Sequence, residues 1–197
     1  MNILTTELPK TVDINGVRTP INTDFRASIQ FETAILSGEK DEEKLLGFYF
    51  DEIPKDKAEA LQAIELFFCC GNIPKGKDRA TRKTAQAYSF EDDASAIFAD
   101  FWNVYNIDLS AEGLHWWAFR ALLEGLPEKS EFKQRIYYRT VESKDLKGLS
   151  KKERERILSL KKRLEIKSDN KGGRMTLEER NESYINYVKM RSSGGDT

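Results

Sequence analysis

A chain of 197 residues that is 39% hydrophobic and 33% charged carries enough apolar side chain for one main domain of about 130 to 170 residues plus a short appendage. The net charge of -1 hides a polarity: Glu32 to Glu65 is acidic, whereas Lys75 to Lys83 and Lys144 to Arg174 are basic, a distribution suited to self-association or to an oppositely charged partner. No apolar run approaches the roughly 18 residues that span a bilayer, and the start Met1-Asn2-Ile3-Leu4 lacks the basic and apolar regions of an export signal, so the expectation is a soluble cytoplasmic protein.

Thr11 to Ile14 and Val17 to Thr19 alternate on either side of Asn15-Gly16, the dipeptide best suited to a two-residue hairpin because both central positions of such a turn need positive φ. Pro20 closes the second strand. A lone hairpin is marginal in water, so this one must lie on helices or pair with a strand of another chain. From Thr23 or Asp24 the period becomes helical, with Phe25, Ile29, Glu32 and Leu36 marking turns up to Ser37-Gly38. A short helix follows from Asp41 to about Phe50, and Pro54 breaks it. A further helix, from about Lys55 to Cys70, sets Ala60, Leu61, Ile64, Phe67 and Phe68 on one face, with Gly71 placed to end it.

Residues 72 to 87 have no hydrophobic period, contain Pro74 and Gly76, and carry Lys75, Lys77, Arg79, Arg82 and Lys83, which predicts a mobile basic loop that trypsin cuts first, together with the stretch near Lys167 to Arg174. The next helix is the best patterned: Ala94, Ile97, Phe98, Phe101, Trp102 and Tyr105 fall at i, i+3, i+4, i+7, i+8 and i+11 behind Ser89, Glu91, Asp92 and Asp93. On this spacing Trp102 is a core residue, and Trp117, in the apolar run that follows, is expected to serve the fold as well. The run from Leu114 to Leu123 holds two of the three Trp residues and the single His; apolar over most of its circumference, it has to be enclosed by other helices. Asp108 or Ser110 is its expected cap, and it ends at Gly125 before Pro127. A short helix carries Phe132, Ile136 and Tyr137. Ser150 and Glu153 form a capping box opening a helix with Ile157, Leu160 and Leu164 on one face and a basic surface on the other. A joint at Asp169 to Gly173 separates a last helix, with Tyr184, Ile185 and Val188 on a narrow face, and a polar end. The fold class predicted is mainly α: a multi-helix globular domain with a small N-terminal β-hairpin over 1–166, then the joint, short helix and tail over 167–197.

Little in the chain supports catalysis. One His, His115, excludes His-rich metal sites and double-His acid–base schemes, and adjacent Cys69 and Cys70 form neither a zinc spacing nor an easy disulfide, which suits a reducing compartment. A satisfied core or groove His is the better reading of His115 than a general base. Asp41, Glu42, Glu43, Asp92 and Asp93 stand where helix N-termini prefer carboxylates, which is the simpler account of them than a divalent-cation site. Lys75-Gly76-Lys77 is not part of a phosphate loop. The basic loop and the helix with Lys151, Lys152, Arg154, Arg156, Lys161, Lys162 and Arg163 allow nucleic acid as a partner, but Glu153, Glu155 and Glu165 interleave, as on an ordinary solvated face. No enzyme, cofactor or metal is expected. The candidate partner-binding residues are Lys75, Lys77, Arg79, Arg82, Lys83, Trp116, Tyr184 and Val188.

Three segments carry a resemblance: Met1 to Leu4 with the Asn15-Gly16 hairpin and Pro20 to Arg26; Tyr88 to Asp93 leading to Tyr105 through Leu109; and Leu114 to Leu122. In order and spacing these are similar to a family of small proteins from long-tailed phages and prophages of Gram-positive bacteria, encoded beside the tape-measure gene, over about residues 1 to 165. The resemblance implies a morphogenesis protein without catalytic residues, a tail assembly chaperone that binds the tape-measure protein and tail-tube subunits in the host cytoplasm. A structural component retained in the virion tail, and a basic helical nucleic-acid-binding protein, are the alternatives it leaves open.

Overall fold

Aspartate and serine start most of the helices, each by offering a side-chain oxygen to N–H groups the first turn leaves unbonded. The computed structural model describes residues 3–72 and 87–166. The stretch from Lys75 to Lys83 and the segment with Tyr184 and Val188 lie outside the described residues. Within them the chain is mainly α: strands β1 (Thr11–Ile14) and β2 (Val17–Pro20), then helices α1 (Phe25–Leu36), α2 (Glu42–Leu46), α3 (Lys57–Phe68), α4 (Ala94–Tyr105), α5 (Trp116–Glu124), α6 (Glu131–Thr140) and α7 (Lys151–Arg163). Asp24 caps α1 through the Arg26 amide, Asp41 caps α2 through Glu43 and Lys44, Ser130 caps α6 through Lys133, and Ser150 with Glu153 forms the reciprocal capping box of α7.

The described residues sort into two compact units, one of 3–72 with Gly113–Ala121, the other of 87–112 with 122–166. In the first, the antiparallel hairpin turns at Asn15 (φ 52°) and Gly16 (φ 81°), the left-handed pair its sequence predicts. The side chain of Asn15 donates to Asp56 Oδ2 at 3.0 Å while Asp56 Oδ1 caps α3, so one carboxylate fixes both the hairpin tip and the helix start. Val12 and Ile14 are buried, and β1 lies along α3. α1 and α5 begin side by side: the Phe25 amide donates to the Leu114 carbonyl at 2.9 Å and the Trp116 amide to the Thr23 carbonyl at 2.8 Å. Their faces meet in an aromatic core in which Phe25 stacks on Phe119 at 4.5 Å and Phe68 on Trp116 at 5.2 Å, with Phe31 edge-on to Tyr49. Each such ring removed from water contributes about 1.5–3 kcal/mol. The Tyr49 hydroxyl meets Ser28 Oγ at 2.9 Å, which makes its burial affordable.

Neither Asp108 nor Ser110 caps the Trp-rich helix. Asp108 Oδ1 closes its own turn with the Ser110 amide and hydroxyl, and α5 starts six residues beyond Ser110, at Trp116. The group at its N-terminus is His115, whose Nδ1 accepts from the Trp117 amide at 3.1 Å. α3 ends on two consecutive left-handed residues, Cys70 (φ 54°) and Gly71 (φ 77°), and Gly71 abuts the Trp117 ring.

The second unit is organised by buried charge. Asp93 precedes α4 and is fully buried; Arg139 on α6 is 5% exposed and grips it with both terminal nitrogens, Nη2 to Oδ1 at 2.8 Å and Nη1 to Oδ2. Arg135, one turn earlier, adds a contact to Oδ1 at 3.2 Å, and the Ser89 amide donates to Oδ2 at 3.0 Å. The remaining reach of Arg139 goes to the Leu164 carbonyl from Nε at 2.6 Å, which closes the end of α7, and to the Ala87 carbonyl. Seven residues after Asp93, on the same face of α4, Asp100 accepts from the Glu131 and Phe132 amides at 3.1 and 2.7 Å and so caps α6 from outside. Two aspartates of one helix thereby hold both ends of another. Tyr88 packs edge-on against both Phe90 and Phe132.

Candidate partner-binding surface

α4 carries a single charged side chain, Asp100, and that one is buried. Ala96, Ile97, Asp100 and Phe101 form its inner face. Tyr105 completes the packing, edge-on to Phe101 at 5.6 Å, and its hydroxyl donates to the Leu122 carbonyl at 2.9 Å. What remains outside is uncharged: Ala94, Ser95, Phe98, Ala99, Trp102, Asn103 and Val104. Phe98 and Trp102, four residues apart, stack on one another at 6.4 Å between ring centroids with 21° between planes, and they are 39% and 49% exposed. With Ala99 and Asn103 they border a shallow hollow of about 360 Å³.

This overturns the expectation that Trp102 is a core residue. The stripe read from spacing merges two faces, because residues one apart on a helix point about 100° away from each other. Ile97 and Phe101 lie on the inner face with Ala96 and Asp100; Phe98 and Trp102 lie beside it and look outward. The inner face includes an aspartate, which hydropathy alone assigns to solvent, because the amide groups that satisfy Asp100 come from α6. An outward pair of large aromatics thus stands on an uncharged helical face in a chain that is one-third charged.

Trp116, a sequence-derived partner candidate, is not available to a partner. It is 0% exposed, its Nε1 donates to the Phe68 carbonyl at 2.9 Å, and its ring is sandwiched between Phe68 and Phe119. Trp117 is likewise buried, with Nε1 donating to the Phe67 carbonyl at 2.8 Å, in agreement with the core role its sequence position suggests. Lys75, Lys77, Arg79, Arg82, Lys83, Tyr184 and Val188 lie outside the described residues.

The titratable groups serve structure. His115 Nε2 donates to the Pro9 carbonyl at 2.9 Å and Nδ1 accepts from Trp117, so the ring is held neutral with its proton on Nε2. Burial lowers its pKa below the ordinary value. Burial by itself raises Asp93, but the hydrogen bonds from Arg139 and Ser89 outweigh it and leave the carboxyl below its usual range. The Cys69 thiol is pushed up to about 12, mainly by burial, which makes it a poor nucleophile. Asp41 caps α2, and Glu43 pairs with Lys57 at 2.5 Å. Among the described residues no group of three or more His, Cys, Asp or Glu is placed to hold a metal, and no helix is long and apolar enough to cross a membrane.

The architecture is that of a mainly α protein with a small N-terminal hairpin, in which buried charge ties α4 to α6. The chain belongs to the Bacteriophage Gp15 protein family, whose model matches residues 4–166, almost the span over which the sequence resembles phage proteins. No curated protein and no solved structure matches it.

Proposed function

We propose that this protein is a non-enzymatic factor of phage tail morphogenesis: a tail assembly chaperone that acts in the cytoplasm of a Gram-positive host and holds the tape-measure protein, and tail-tube subunits with it, in an assembly-competent state. Family membership supports the phage role. The observation that carries the chaperone reading is the stacked Phe98–Trp102 pair on the uncharged outer face of α4. A tape-measure protein is long and helical, and its apolar stripes need cover until they are packed into a tail; an aromatic ridge beside small residues such as Ala99 is a surface on which such a helix packs.

Co-expression with the tape-measure protein tests this. The wild-type chain is expected to keep that protein soluble and to co-purify with it, and the double variant Phe98→Ser with Trp102→Ser is expected to fold but lose both effects. Failure of the wild type to rescue or capture the tape-measure protein overturns the proposal. Mass spectrometry of purified virions decides between a chaperone, scarce in particles, and a retained tail component, present in fixed ratio. Steeply salt-dependent binding to duplex DNA, on the order of several counterions released, would instead favour the nucleic-acid reading of the basic face of α7.

A further inference from the structure

We infer that the edge of β1 away from β2, which no described strand covers, receives one extended segment of a partner protein, added to the hairpin as a third strand and carrying a lysine or arginine against Asp13. In a hairpin closed by two residues, Ile14 and Val17 form a hydrogen-bonded pair, and the pairs alternate from there. The Ile21 amide donates to the Lys10 carbonyl at 3.1 Å, which fixes the same phase at the far end. Thr11 and Asp13 are therefore the residues whose N–H and C=O groups point away from β2, and both are exposed. The opposite edge is blunted: Pro20 occupies one of its two outward positions and has no N–H to offer, while Arg18 occupies the other.

Alongside the β1 edge runs a groove of about 310 Å³ bordered by Val12 and Asp13, by Leu66 and Phe67 of α3, and by Trp117. Its walls are apolar, and among the described residues Asp13, whose Oδ1 also accepts from the Gly16 amide at 2.9 Å, is the one charged residue on its rim. A strand laid against Thr11 and Asp13 turns alternate side chains to opposite faces. Those on the Val12 face enter the groove against Leu66, Phe67 and Trp117, which favours aliphatic residues; those on the Asp13 face stay in water, where a cation complements the carboxylate. β1 itself, Thr11–Ile14, carries no cation, so a second copy presenting this strand would bring another Asp13 to the same edge and leave the carboxylate uncomplemented; the occupant is an extended segment of a different protein. This surface lies on the first unit and does not depend on the α4 reading.

The test uses the full-length ¹⁵N-labelled protein and a capped synthetic heptapeptide of alternating valine and threonine with one lysine on its threonine face. The expected result is saturable binding that shifts the Thr11 and Asp13 amide resonances, slows their hydrogen exchange and perturbs Trp117 fluorescence. N-methylation of the peptide amides that face β1 should weaken binding about tenfold or more. Asp13→Lys should lose the lysine peptide and gain a glutamate counterpart. Leu66→Asp, at an exposed wall position, should weaken both peptides with unchanged helicity. The Phe98→Ser and Trp102→Ser double variant should bind the peptide normally, which separates this surface from the chaperone surface. No binding at millimolar peptide, or equal binding of the N-methylated peptide, overturns the inference. So does a concentration-dependent dimer that protects the Thr11 and Asp13 amides without peptide, because a second copy would then hold the edge.

Discussion

Asp93 and Arg139, 46 positions apart in sequence, form a buried two-pronged ion pair in which both carboxylate oxygens and both terminal guanidinium nitrogens are used. The carboxylate sits at the start of α4 and the guanidinium near the end of α6, so the pair sets how these helices lie together. A buried pair of this kind adds little over a well-packed apolar alternative, but removing one partner strands the other charge out of water.

Arg139→Met is therefore expected to destabilise the protein by about 3–5 kcal/mol, because Asp93 loses its main partner and the Leu164 carbonyl loses its donor. Arg139→Lys should recover only part of this, since an ammonium cannot make the two-pronged contact. Urea unfolding followed by circular dichroism reads both values; wild-type stability in Arg139→Met would show that the pair contributes nothing to the fold.

The single histidine makes a pH experiment interpretable. His115 is held neutral by a donor bond to Pro9 and an acceptor bond from Trp117, and its folded pKa lies below the ordinary 6.5. The unfolded chain takes up the proton first, so this contribution to stability is complete above pH 6.5 and is lost as pH falls through the lower folded value. Melting temperatures measured from pH 7.5 down to 5 should fall more in the wild type than in His115→Gln. Parallel curves would mean the imidazole is not desolvated.

Tryptophan substitutions should separate the buried aromatic core from the exposed aromatic pair. Trp116→Ala removes a fully enclosed ring and its bond to Phe68, at an expected cost of about 3–5 kcal/mol. Trp102→Ser, on the outer face of α4, is expected to cost about 1 kcal/mol or less and to leave a cooperative melt. Unfolding of Trp102→Ser would place that side chain in the core after all.

The adjacent thiols should react unequally. Cys69 is buried with its pKa pushed up to about 12, whereas Cys70 is half-buried at the left-handed end of α3. Iodoacetamide at pH 8 under native conditions is expected to label Cys70 alone, and both residues in denaturant, as read by peptide mass spectrometry. Native labelling of Cys69 at a similar rate would show that this end of α3 opens readily.

What the sequence by itself determined is local. Asn15-Gly16 dictates its hairpin because the turn needs two left-handed residues; Asp24 and the Ser150–Glu153 box start their helices because the bonds involved span only a few positions; and Leu114 to Leu123 reads as an enclosed helix because it is apolar on nearly every side. The tertiary structure decided which face of α4 is inner. Ile97 with Phe101 and Phe98 with Trp102 are equally apolar neighbours on one helix, and hydropathy cannot choose between them. The choice is made by groups more than thirty residues away, the α6 amides that satisfy Asp100 and the Arg139 that neutralises Asp93. Once those pull the acidic side of α4 inward, Trp102 is left outside. For the same reason His115, an unremarkable polar residue in an apolar run, becomes a helix cap: only folding brings the Pro9 carbonyl to its other nitrogen, 106 positions away.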